Sequence, residues 1–163
     1  MRLVLFYLIL MVAQGFLSAL LAPVPPPDLF LLAVLTLLWR VQPWQLVLVA
    51  YGVGLIQDLA GHGLLGMHAF ALAGAVLVAS FLRAQLSNAG ILERMLVVFV
   101  ATTAKWVVLA GVLVWLADTP MSFGRVAAVA VVEGALTVAA GLLVLPWSAA
   151  LLERSRVLQK ELL

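Results

Sequence analysis

From Leu3 to Ala22 the chain runs without a charged residue, and comparably apolar stretches recur as far as Leu145. The hydrocarbon core of a bilayer is about 30 Å thick and takes about 20 apolar residues to cross as a helix. Backbone surrounded by lipid must satisfy its own hydrogen bonds, which a helix does within one segment. Composition points the same way: of the 163 residues 66% are hydrophobic and 10% charged, with a mean hydropathy of +1.24. Soluble domains are about half apolar and about a quarter charged. The expected fold class is therefore all-α, a polytopic membrane protein.

Several function classes drop out at once. The net charge of +2 is small and dispersed, whereas a nucleic-acid footprint needs Lys and Arg clustered on one face, so no nucleic-acid partner is expected. The absence of Cys excludes disulfide frameworks, thiolate metal sites and Cys nucleophiles. No phosphate-cradling loop, no nucleophile beside a base and no carboxylate pair at catalytic spacing is present. No catalytic residue and no cofactor are expected, and the chain reads as a non-enzyme.

Prolines, glycines and charges divide the chain into six segments. Segment 1 is Leu3 to Ala22; it is longer than a signal-peptide core and is followed by Pro23, a poor cleavage junction, so it reads as a retained helix. Pro23-Val24-Pro25-Pro26-Pro27 cannot be helical. Segment 2 starts near Asp28, a favourable N-cap, and reaches only about Trp39. Twelve residues rise about 18 Å, so this helix either begins within the prolines or is a partial span sheltered by its neighbours. Segments 3 to 6 are expected over Trp44 to Leu59, Leu64 to Phe81, Leu92 to Leu116 and Arg125 to Leu145, with Pro146 kinking or ending the last. Residues 1–146 form the membrane domain, and 147–163 a short cytoplasmic helical tail with Leu151, Leu158 and Leu162 at near-heptad spacing.

Orientation follows from the basic residues, which short cytoplasmic loops retain. With the N-terminus inside, Arg2, Arg40, Arg83, Arg94, Arg154, Arg156 and Lys160 are cytoplasmic and only Arg125 is outside. Trp39, Trp44 and Trp147 then fall at the inner interface and Trp115 at the outer one, where indoles favour sitting. Six spans with both termini cytoplasmic are expected, in a bacterial inner membrane.

Two places carry polar groups where lipid makes them costly. Lys105 in segment 5 and Glu133 in segment 6 are expected at similar depth on antiparallel helices, and a charge at the centre of a span costs about 2.5 to 3.5 kcal/mol on insertion scales. An ion pair that fixes the register of the two helices is the natural reading, with Glu133 the one carboxylate well inside a span. The second place is the outer turn from Gln57 to His68. Asp58, His62 and His68 are too few for a convincing metal site, so no metal is expected. Gln57, Asp58 and His68 are expected to bond amides exposed where the backbone leaves the helix. Small residues at four-residue spacing, Ala71, Ala75 and Ala79, then Ala130 and Gly134, mark close helix packing.

Pro27-Asp28-Leu29, Gly54-Leu55-Ile56-Gln57-Asp58-Leu59 and Gly63-Leu64-Leu65-Gly66-Met67-His68-Ala69 resemble MreD, the bacterial rod shape-determining membrane protein family, in motif order across nearly the whole chain. The resemblance implies a scaffold of the cell-elongation machinery that binds MreC, a single-span protein with a large periplasmic domain. Through MreC it would support the elongation peptidoglycan polymerase and transpeptidase and hence rod cell shape. It also implies a six-helix bundle like the substrate-binding subunits of energy-coupling-factor transporters, and a vitamin- or solute-binding transporter subunit is the alternative. On the scaffold reading Asp28, Gln57, Asp58, Gly66 and His68 contact the partner or shape the outer turn. Asp58→Ala should then weaken partner association more than Lys105→Met combined with Glu133→Gln. Self-association, the partner-facing helices and a lipid or small ligand in the outer turn are left open.

Overall fold

A computed structural model describes residues 2–60, 64–86, 90–117 and 122–161, and every regular element among them is helical. The helices are α1 (Arg2–Leu21), α2 (Leu29–Leu35), α3 (Pro43–Ala60), α4 (Met67–Gln85), α5 (Ile91–Ala117) and α6 (Phe123–Glu161). Three contain stretches long and apolar enough to cross a membrane: Met67–Gln85, Ile91–Trp115 and Phe123–Ser148. In α3, Gln45 near one end and Gln57 with Asp58 near the other dilute an otherwise apolar helix.

Helices α3, α4, α5 and α6 pack in sequence, each on the next, and α2 touches all five other helices. That central position explains segment 2. Its helix is only seven residues long, and all seven are buried, so the sheltered partial helix is the form adopted. Residues 36–40 continue it as tight turns, with Leu37, Leu38 and Arg40 N–H groups donating three residues back. Thr36 Oγ1 donates to the Ala33 carbonyl at 2.6 Å and Arg83 Nη1 to that of Leu38, so the buried C-terminal carbonyls of α2 do not go unpaired.

The small residues sit where helices come closest. Ala71, Ala75 and Ala79 on α4 are fully buried. A Cβ on Gly54 would lie 2.3 Å from the Cα of Ala69, so only glycine allows α3 to approach α4 backbone to backbone. Gly134 of α6 similarly faces the ring of Phe99 on α5.

The sixth helix passes through Pro146 and continues to Glu161, so the helical tail is an extension of α6. Just beyond the proline, Ser148 Oγ donates to the Leu145 carbonyl at 2.8 Å, a local side-chain bond where the ring disturbs the ladder. The tail side chains from Leu151 onward, with their leucine spacing and basic residues, lie outside what is described.

Candidate functional site

Polar groups collect at two places. The first is the buried start of α2. Asp28 is its N-cap, accepting from the Leu31 N–H through Oδ1 at 2.9 Å. Its own N–H donates to Thr137 Oγ1 of α6 at 2.9 Å, and the Leu29 N–H donates to Gln14 Oε1 of α1 at 2.7 Å. A helix start sheltered from water thus has donors satisfied by its cap, by α1 and by α6, as buried termini require.

The other oxygen of Asp28 has a second task. Lys105 Nζ donates to Asp28 Oδ2 at 2.7 Å and also to Glu133 Oε1. Asp28, Lys105 and Glu133 are 2%, 5% and 5% exposed. Lys105 and Glu133 therefore come together, but in a triad that ties α2, α5 and α6. Asp28 caps α2 as expected, and it adds a second carboxylate to the expected pair of Lys105 and Glu133. The physical reason lies in the proline connector, which delivers the chain to a helix start buried beneath the bundle surface. Thr102 and Thr103 bond back to the carbonyls of Val98 and Phe99 on their own helix; Thr137 is the threonine that reaches across helices.

The second place is the junction of α3 and α4. Asp58 is buried, and its carboxylate gathers the start of α4: Oδ2 accepts from the Gly66 N–H at 2.9 Å and the Ala69 N–H at 3.3 Å. Oδ1 accepts from the His68 N–H at 3.0 Å and lies 2.8 Å from His68 Nδ1. Facing a carboxylate, Nδ1 takes the role of donor. Gly66 has φ +94°, the left-handed conformation that glycine adopts without strain, and this turns its N–H toward Asp58. The side chain of α3 thus supplies the cap that α4 lacks of its own.

Gln57 behaves differently from expectation. Its Oε1 is buried and has no hydrogen-bond partner among the described residues; among them it is Asp58 that serves the turn amides. Helical geometry accounts for this, because neighbours along a helix point about 100° apart. His62 lies outside the described residues.

Neither place sets a nucleophile beside a base, and among the described residues no three His, Cys, Asp or Glu side chains are grouped as metal ligands. A cavity of about 150 Å³ between α1, α2 and α3 is lined by apolar side chains, among them Met11, Phe30, Val34 and Val53. No family model, no curated protein and no solved structure matches the chain.

Proposed function

We propose that this chain is a non-enzymatic scaffold of the MreD type: a six-span protein of the bacterial cytoplasmic membrane, both termini inside, that binds MreC and through it supports peptidoglycan synthesis during cell elongation. The observation that carries this reading is the bonding pattern of the motif itself. Asp58 of the Gln57-Asp58-Leu59 element holds Gly66, His68 and Ala69. Those three are a Gly, the His and the Ala of the downstream element, so four of the residues that carry the resemblance form one hydrogen-bonded unit where α3 meets α4. Such a unit gives a partner a fixed surface.

The cavity between α1, α2 and α3 is apolar and would leave the polar groups of a buried vitamin unpaired, so that space is not suited to holding one. The ion triad reads as a lock on α2. Because Asp28 belongs to it, Lys105→Met with Glu133→Gln leaves a carboxylate buried without its cation; the neutral comparison also needs Asp28→Asn.

Co-purification of MreC with the full chain tests the proposal. Asp58→Ala is expected to lower MreC recovery at least tenfold, and the triple variant Asp28→Asn, Lys105→Met, Glu133→Gln by less than threefold. Equal losses would mean that MreC does not read the Asp58 turn, and no recovery with the unaltered chain would remove the scaffold reading.

A further inference from the structure

The ring of helices around α2 is not closed. Helices α3 to α6 pack in sequence and α6 reaches α1, but among the described residues α1 and α3 make no close approach, so a seam runs between them with α2 behind it. The cavity of about 150 Å³ lies in this seam. Its back wall is one stripe of α2, Phe30, Ala33 and Val34, continued by Leu37 in the turn that follows, at the spacing that puts residues on a single helix face. Met11 of α1 and Val49 and Val53 of α3 form its sides. Exposure divides α2 in the same way: Phe30 and Ala33 are 8% and 7% exposed, whereas Leu31, Leu32 and Leu35 are 0%. Val49 is 39% exposed, so the cavity reaches the surface of the bundle beside it. Its depth follows from the triad. Asp28, at the start of α2, shares Lys105 with Glu133, and both lie near the middle of the apolar stretches Ile91–Trp115 and Phe123–Ser148. The cavity therefore extends from about the midplane of a bilayer toward the end of the bundle that carries Arg40.

We propose that this cavity holds the end of a phospholipid acyl chain, drawn from the leaflet on the Arg40 side. Chemistry and size both narrow the occupant. The lining side chains are apolar, so a polar group placed there would go unpaired. An apolar cavity of about this size stays free of water and takes up benzene, which sets the scale of what enters. A transmembrane helix is about 10 Å across, too wide for the space, whereas a hydrocarbon chain is thin. At this depth of a bilayer the molecules on hand are acyl chains, and an empty cavity would forfeit the dispersion contacts of its lining. The site goes beyond the scaffold reading and does not depend on it: it needs only that the helices sit in a bilayer.

Photolabelling tests the site. The full chain is reconstituted in vesicles of phosphatidylethanolamine and phosphatidylglycerol that contain a phosphatidylcholine with a diazirine near the methyl end of one acyl chain. After irradiation the labelled residues are mapped by mass spectrometry. Phe16 of α1 is 68% exposed and should be labelled as any lipid-facing side chain is. Phe30 and Val34 should carry label although they are buried, and Leu31 and Leu35 should not. Ala33→Leu fills the cavity from within and Val49→Phe covers its mouth; each should remove the label from Phe30 and Val34 and leave that on Phe16 unchanged. Val49 is partly exposed, so its variant carries the test if Ala33→Leu fails to fold, judged by helical circular dichroism and thermal melting. No label on α2 of the unaltered chain, or equal label on Leu31 and Leu35, would overturn the site, as would an α2 label that the folded variants retain. Loss of the α2 label as the ratio of protein to lipid is raised would give the seam to a second copy of the chain and overturn the acyl chain as its occupant.

Discussion

Asp28 and Asp58 are both buried aspartates at the end of an apolar helix, yet they are held by different chemistry. Asp28 faces an ammonium group, and its oxygens are divided between Lys105 and the Leu31 N–H. Asp58 faces backbone: three main-chain N–H groups and the His68 ring. The difference matters because charges can be removed in matched sets, whereas backbone donors stay whatever side chain replaces the acceptor. A neutral, well-packed replacement of a buried ion cluster is often tolerated; no apolar residue can stand in for Asp58.

The largest effect should come from breaking the triad on one side only. Lys105→Met leaves two carboxylates buried without their cation and should cost about 3 to 5 kcal/mol, read as loss of reversible unfolding free energy in mixed micelles. Adding Asp28→Asn and Glu133→Gln to the same variant should recover most of that loss, since Asn still caps α2. A triple variant as unstable as Lys105→Met would erase the distinction between the two aspartates.

Next in size is a change that disturbs the Asp58 turn without touching a polar group. Gly54→Ala puts a Cβ against the Ala69 backbone, which cannot move aside as a side-chain tip would, and overpacking of this kind costs about 1 to 3 kcal/mol. Proteolysis between α3 and α4 should accelerate. Gly52→Ala is the matched control, because a Cβ there meets nothing within 4 Å, and its proteolysis rate should equal that of the unaltered chain.

Asp58→Asn sharpens the comparison further. One acceptor is kept, and the other becomes an NH2 group facing a donor, for a loss of about 1 to 2 kcal/mol in the same unfolding measurement. His68→Ala is the smallest, about 1 kcal/mol, since the main-chain bonds to Asp58 remain. A His68 loss exceeding that of Asp58→Asn would show that the ring, rather than the backbone, organises the turn.

The sequence was legible where apolar length and punctuation decide structure. Segments 3, 4 and 5 begin and end within about four residues of α3, α4 and α5, because prolines, glycines and charges punctuate the apolar runs. Segment 2 was not resolvable, since nothing in an apolar run of twelve residues says that five helices surround it. The triad was half legible. Lys105 and Glu133 are 28 residues apart on neighbouring helices, which depth counting can pair, but Asp28 is 77 residues from Lys105 and joins it only because α2 is central. Asp58 was recognisable as a carboxylate beside a glycine-rich turn. The division of labour between it and Gln57 was not, because it depends on which face of α3 meets α4.

A membrane scaffold that presents the Asp58 turn to a single-span partner should carry that partner through purification. Purifying the full chain in mild detergent from the cells that make it, and identifying by mass spectrometry the proteins and small molecules that stay bound, tests this most directly. Recovery of MreC, lost on Asp58→Ala while the triad-neutral variant keeps it, is the predicted result. A retained vitamin or an ATPase-linked partner in place of MreC would contradict the account and assign the chain to a transporter.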